Sequence, residues 1–193
     1  MTEPNGEPAG WQGGTVWLTG LPSAGKTTIA LGLAERLRAD GHRVQVLDGD
    51  EVRAALSAEL GFSKEDRDTN VLRIGFVADL LTRNGVGVIV SAISPFKEVR
   101  DQVRRNVGND FVEIFVDAPL EVCAERDVKG LYEKAFSGEI PQFTGVSDPY
   151  EAPAAPELHI KTDEEEPNES AARVIGYLEE LGYLTPIGAL NRA

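Results

Sequence analysis

The stretch "VWLTGLPSAGKTTIA", residues 16–30, decides the fold. It starts as a β-like apolar run, breaks at Gly20, loops through Pro22, Ala24 and Gly25, and closes on Lys26-Thr27-Thr28 ahead of a helical pattern. Residues 20–27 fit G-x-x-x-x-G-K-[ST] without mismatch, directly after a strand and directly before a helix. Glycines let such a loop curl so that consecutive N–H groups point at phosphate oxygens, and the helix N-terminus adds partial positive charge. Lys26 is placed to reach the β/γ-phosphates and the Thr27 hydroxyl to ligate Mg2+. The expected phosphate-binding set is Gly20, Ser23, Ala24, Gly25, Lys26, Thr27 and Thr28. A Gly-rich turn with a coincidental lysine is the plain alternative, and the strand–loop–helix context argues against it. The stretch reads as a nucleoside triphosphate site.

Outward from the loop, strand-like and helix-like patterns alternate. "TVWLTG" (15–20) precedes a helix over 26–40 that Gly41 ends, and "HRVQVLD" (42–48) precedes a short helix from about Glu51. Val71, Ile74, Val77 and Leu81 recur at helical spacing in a long amphipathic helix from Asp66 to Asn84, with Ser63 as its capping residue. "GVGVIVSA" (85–92) is apolar throughout, as a strand covered on both faces is. Ser94-Pro95 predicts an N-cap and a proline at N1 for a helix to about Val107. "FVEIFVDAP" (111–119), "ELHIKT" (157–162) and a helix from Asn168 to about Leu181 complete the pattern. Parallel strands need crossovers, so the expectation is α/β: a parallel sheet with helices on both faces. Residues 1–14, rich in Gly, Pro and Glu, read as a flexible leader, and 15–193 as a single domain. Residues 128–157, punctuated by Gly and Pro and carrying Tyr132, Phe136, Phe143 and Tyr150, are too long for a connection and read as a flexible lid.

A formal net charge of −13 argues against nucleic acid or an anionic membrane as partner, while leaving room for a small anion in a local positive pocket. One cysteine, Cys123, cannot form an internal disulfide, and no stretch has the length or signal pattern of a membrane or export segment. A cytoplasmic protein is expected. The phosphate loop is shared by switch GTPases, mechanical ATPases and small-molecule kinases. No N-K-x-D-like guanine reader stands late in the chain, and 193 residues with one late flexible segment suit a small-molecule kinase that closes a lid over its reactants.

Such a kinase needs a carboxylate at the accepting hydroxyl and a metal at the phosphates. "LDGDEVR" supplies Asp48 and Asp50 at the C-terminal end of a strand, where open α/β sheets hold ligands, with Arg53 one helical turn on. Asp50 is assigned the base-like role and Asp48 a place nearer the metal, acting through water; a plain helix N-cap at Asp50 is the alternative. In "GFSKEDRDTN" (61–70), Arg67 and Asn70 share a helix face that Arg73 continues, suiting an anion and a sugar hydroxyl, or simply a solvated surface. Phe62 is either a core plug or a stacking platform for a base.

The stretches "GLPSAGKTTIA", "LDGDEVR", "LGFSKEDRDTNVLRIG", "ISPFKEVRDQVR", "FVEIFVDAPLEVCAERDVKGLYEKAFSGEI" and "FTGVSDPYEAPAAPEL" run in series from residue 16 to about 160. In that order they resemble the adenylylsulfate kinase family. The resemblance implies a P-loop NTPase-like fold and transfer of the ATP γ-phosphate, with Mg2+, to the 3′-hydroxyl of adenosine 5′-phosphosulfate. It places the acceptor aspartate and arginine on Asp50 and Arg53, and the sulfate, phosphate and ribose contacts on Arg67 and Asn70. The rings sandwiching the acceptor adenine fall on Phe62 and Phe143, further acceptor contacts on Ile93, Ser94 and Thr144, and the lid lysine on Lys129. The ATP base is expected near Cys123–Arg126, with Arg126 stacking on it, and near Thr162. Catalysis is thereby assigned to Lys26, Asp50 and Lys129. Ser94, matching a serine sometimes suspected of carrying phosphate, is read instead as a helix cap whose backbone lines the acceptor pocket. Expected partners are the two small molecules, a second copy in a homodimer, and an ATP sulfurylase by functional coupling.

Some positions depart from the family pattern. Pro22-Ser23 replaces a common Ser-Gly, Leu72 and Phe76 stand where Arg and Glu are common, and Phe136 where Arg is. Ile140-Pro141-Gln142 replaces a Lys-containing step, and Phe96 replaces a tyrosine. These losses of charge motivate a second reading, a nucleotide-binding subunit without turnover. The intact set Lys26, Asp50, Arg53, Arg67, Asn70 and Lys129 favours the active enzyme.

Overall fold

A computed structural model of the chain describes residues 13–184. The first twelve residues of the expected leader lie outside that range, and its last one, Gly14, already belongs to a strand. The strands are β1 (Gly14–Thr19), β2 (Val44–Asp48), β3 (Gly87–Ser91), β4 (Phe111–Asp117) and β5 (Leu158–Lys161). All pair in parallel, in the order β2-β3-β1-β4-β5. The helices are α1 (Lys26–Ala39), α2 (Gly49–Leu56), α3 (Lys64–Thr82), α4 (Lys97–Val107), α5 (Leu120–Arg126), α6 (Leu131–Phe136) and α7 (Pro167–Glu180). The expected α/β layering is what forms.

The central strands are near-continuous apolar runs because both of their faces are covered. Period-2 alternation divides them: Val16, Leu18, Ile89, Ile114 and Val116 pack with α1 and α7, whereas Trp17, Val88, Val90 and Phe111 pack with α3 and α4. The α3–α4 contact is close, since a Cβ on Gly75 would come within 2.8 Å of the Val103 side chain. Ser63 caps α3 as expected, its side chain accepting from Asp66 N–H at 3.1 Å. Such a cap is worth about 1 kcal/mol.

One expected cap is not there. α4 begins at Lys97 rather than at Pro95, and Ser94 sits at φ +46°, a left-handed conformation that cannot start a right-handed helix. Its hydroxyl accepts from the Trp17 indole N–H at 3.0 Å and donates to the Ala92 carbonyl at 3.3 Å. The Lys97 N–H instead donates to the carboxylate of Glu151, 54 residues away in sequence, at 2.7 Å. The helix start is satisfied by tertiary structure, which a local sequence pattern does not reveal.

Residues 128–157 pack against the rest of the molecule at two anchors. Tyr132 on α6 is 1% exposed and donates its hydroxyl to the Pro22 carbonyl at 2.9 Å, joining this segment to the phosphate loop. Phe143 packs edge-on against Tyr132, ring centroids 5.0 Å apart.

Candidate active site

The first half of the site is the loop between β1 and α1. Gly20 is required by close approach, because a Cβ there would lie 2.1 Å from the Val116 carbonyl oxygen of β4. Gly25 adopts φ +102° as it turns into α1, whose first turn holds no acidic residue to compete for its free N–H groups. Ser23 also lies in the left-handed region, at φ +60°, which explains why a glycine suits this position; the serine costs of order 1 kcal/mol of local strain. Lys26, 8% exposed, donates its ammonium to the carbonyls of Gly20 (3.1 Å) and Leu21 (2.7 Å), bridging the start of the loop. Burial lowers its pKa to about 8, while Cys123, Asp50 and Asp48 oppose the fall. Lys26 and Asp50 therefore share one electrostatic site.

The Thr27 hydroxyl donates to Asp48 at 2.9 Å and lies 3.0 Å from the Ser91 hydroxyl at the end of β3. Asp48, through its other oxygen, accepts the Asp50 N–H at 2.9 Å and is the N-cap of α2. The capping role considered for Asp50 thus belongs to Asp48. Asp50 is left exposed and paired with Lys129, which crosses from the segment before α6. That partner raises the Lys129 pKa. Thr28 is exposed beside Thr27.

The second half is stitched together by Arg67. From α3 its guanidinium donates to the Phe62 carbonyl, the Gln142 carbonyl and the Thr144 hydroxyl, with the Asp148 carboxylate 3.5 Å away. The side chain is only 10% exposed, so it is not part of a solvated face. Burial lowers its pKa and Asp148 opposes that. Arg53 donates to the carbonyls of Leu60 and Gly61 and stacks its guanidinium on the Phe62 ring at 4.4 Å. Phe62 itself is 55% exposed, so it is no core plug. Asn70 is buried, with its side-chain oxygen lacking any hydrogen-bond partner among the described residues. A buried, unmatched acceptor is costly unless a ligand uses it.

The two expected sandwich rings have unlike surroundings. Phe143, 8% exposed, belongs to the hydrophobic core, so little of its surface is left for a base. Arg126 donates to the hydroxyl (2.9 Å) and carbonyl (2.6 Å) of Thr162, whose hydroxyl donates to the Ala24 carbonyl at 2.8 Å. Ile93 and Ser94 lie beside the end of β1, the Thr19 hydroxyl donating to the Ile93 carbonyl at 2.7 Å. Sequence reasoning missed Ser91, Gln142 and Asp148, which have no motif of their own and reach the site only through sheet register and chain return. The departures Leu72, Phe76 and Phe136 lie apart: the first two line a surface groove with Leu56 and Arg73, and Phe136 is 59% exposed. Phe96 is buried, its ring lying under the Lys64 ammonium at 4.9 Å, so a cation takes the place beside the ring.

The described residues hold no group of three or more His, Cys, Asp or Glu side chains placed to bind a metal, and no helix long and apolar enough to cross a membrane. Comparison with known proteins gives one consistent result. The family model for adenylylsulphate kinase matches residues 12–161. The adenylyl-sulfate kinases of Picosynechococcus sp. and Rippkaea orientalis are each 62% identical to this chain, over 91% and 90% of it and 98% and 95% of their own lengths. The structure of the APS kinase of Mycobacterium tuberculosis in complex with AMPPNP and APS superposes with a TM-score of 0.83 at 45% identity, covering 87% of this chain and 98% of that one. With a matching model over most of its length and relatives of this similarity, the chain belongs to the adenylylsulphate kinase family.

Proposed function

We propose that this kinase transfers the γ-phosphate of ATP to the 3′-hydroxyl of adenosine 5′-phosphosulfate, giving 3′-phosphoadenosine 5′-phosphosulfate and ADP. The observation that carries the assignment of roles is the Asp50–Lys129 pair, set within electrostatic reach of Lys26. Loop N–H groups and the α1 N-terminus hold the triphosphate, and Lys26 balances charge on the moving phosphoryl group. Asp50 orients the accepting hydroxyl and takes its proton. Lys129 leaves its pairing with Asp50 to face the transferring group. Arg67, Arg53 and Asn70 hold the sulfated nucleotide, with Phe62 offering its exposed face to the adenine, and Arg126 and Thr162 line the ATP base.

The hard oxygen donors Thr27, Asp48 and Ser91 fit Mg2+, with Asp48 acting through water. Bound there, Mg2+ neutralises phosphate charge. The segment 128–157 acts as the lid, hinged on the chain around its anchors Tyr132 and Phe143. The single cysteine and the anionic surface fit a cytoplasmic enzyme. A homodimer is proposed through the exposed α3 face of Phe76, which is 64% exposed, and Leu80. Functional coupling to an ATP sulfurylase follows from chemistry, since the acceptor is the product of adenylyl transfer to sulfate. ADP release is the test: turnover that requires adenosine 5′-phosphosulfate and Mg2+ supports the reading, and equal turnover with another hydroxyl acceptor overturns it.

A further inference from the structure

Arg100 lies on α4, within the stretch "ISPFKEVRDQVR" but with no role in the site assigned to it, and it is among the most deeply buried side chains, 2% exposed. Its three donor positions reach three separate elements. Nε donates to Glu113 on β4 at 2.9 Å, Nη1 to the Ser94 carbonyl at 2.7 Å, and Nη2 to the Glu151 carbonyl at 2.6 Å. Glu151 returns a carboxylate oxygen to the Lys97 N–H at the start of α4, and the Glu151 N–H donates to the Pro95 carbonyl at 2.8 Å. The chain at residues 93–97 and the chain at 150–151 are therefore fastened to each other and to the same guanidinium. Thr19, the last residue before the phosphate loop, adds the opposite fastening: its hydroxyl donates to the Ile93 carbonyl and lies 3.0 Å from the Tyr150 hydroxyl. Between these two fastenings stands Ser94, held at φ +46°. A serine keeps that conformation only where its surroundings over-determine it.

We propose that Arg100 is a positioning residue for the acceptor nucleotide: it locks the Ile93–Ser94 backbone into its left-handed turn and ties that turn to the far end of the lid segment. Glu113 neutralises the buried charge, leaving the two carbonyl bonds to set geometry. A planar fork is needed, because an ammonium cannot serve three acceptors lying in one plane on three elements. The inference rests on Ile93 and Ser94 facing the acceptor.

The test compares Arg100→Lys with Glu113→Gln, reading KM for both substrates, kcat and the thermal midpoint. Arg100→Lys is expected to raise the acceptor KM about 10-fold while the ATP KM stays within about twofold, the sign of a misplaced contact rather than a lost fold. Glu113→Gln, which keeps the guanidinium on both carbonyls, lowers the thermal midpoint but leaves the acceptor KM within about twofold. Should Arg100→Lys fail to accumulate, Thr19→Val removes the other fastening isosterically and is expected to raise the acceptor KM about threefold. An unchanged acceptor KM in Arg100→Lys, or in Thr19→Val where that stands in for it, an equal rise in Glu113→Gln, or a parallel rise in both KM values overturns the proposal. Phe62→Ala separates the two layers: if it raises the acceptor KM while Arg100→Lys does not, positioning has failed and the acceptor site stands. If Phe62→Ala also leaves it unchanged, the acceptor-site reading is what failed.

Discussion

Residues 20–28 make the proposed phosphate side of the cleft from one continuous stretch, whose shape is set mainly by its own backbone, with longer-range support from the Gly20 approach to Val116, the Thr162 and Tyr132 contacts, and the Thr27 bonds to Asp48 and Ser91. The proposed acceptor side has no such stretch. Asp50, Phe62, Arg67, Ser94, Lys129 and Thr144 arrive from separate parts of the chain: Arg67 holds Phe62 and Thr144, Arg100 holds Ser94, and Asp50 meets Lys129 in an exposed ion pair. The difference is one of where order comes from. A loop between a buried strand and a helix is pre-shaped by backbone geometry, whereas the acceptor side depends on side chains that hold distant carbonyls. Substitutions on the two sides should therefore separate chemistry from positioning.

Lys26→Ala breaks the phosphate side most severely: kcat is expected to fall by at least about 100-fold, measured as ADP release. Because a buried charge is removed, the fold should not weaken in step. Lys129→Ala comes next, with a fall in kcat of about 100-fold and almost no change in thermal midpoint. Its pairing with Asp50 is solvent-exposed, so the ground state gains little from it. A large drop in stability would show that the pair is structural.

The two rings sharpen the comparison on the acceptor side. Phe62→Ala should raise the acceptor KM about 10-fold without lowering the midpoint of unfolding, because a stacking face is lost and no cavity is made. Phe143→Ala should instead destabilise the protein by about 3 kcal/mol, since the ring fills the core against Tyr132. Denaturant titration of both variants checks this, and equal stabilities would place Phe143 outside the core.

The smallest effect is a proton. Lys26 carries a pKa of about 8 in the folded protein against 10.5 unfolded, so between these values the unfolded chain binds more protons and stability rises with pH. A bound triphosphate pushes the pKa back up. Calorimetry of ATP binding at pH 8 in buffers of different ionisation enthalpy should register uptake of about half a proton, fading at pH 6 where Lys26 is already charged. Absence of uptake would mean that the lysine does not meet the phosphates.

Strand and helix assignments were readable because apolar runs and helical spacing report burial directly, as at 87–91 and along α3. Ser94 shows where such reading stops. Ser-Pro is a helix-opening signal, yet the Trp17 indole and the Arg100 guanidinium hold the serine in another conformation and Glu151 caps the helix two residues later. Likewise Ser91 beside Thr27 is a matter of β3 lying next to β1, and Asp148 beside Arg67 of a chain return that no spacing announces.

The parallel α/β frame and the phosphate-loop motif were legible in the chain alone, because each is written in short-range periodicity or a contiguous motif, and the same motifs named the residue types proposed for the reaction. Chain packing settled that Asp48 caps α2 and leaves Asp50 to Lys129, that Phe62 is exposed while Phe143 is buried, and that Arg67 bonds Thr144 while Arg100 bonds the Ser94 carbonyl. Those outcomes depend on which backbone carbonyls a buried guanidinium can reach, a property of chain packing rather than of neighbours in sequence.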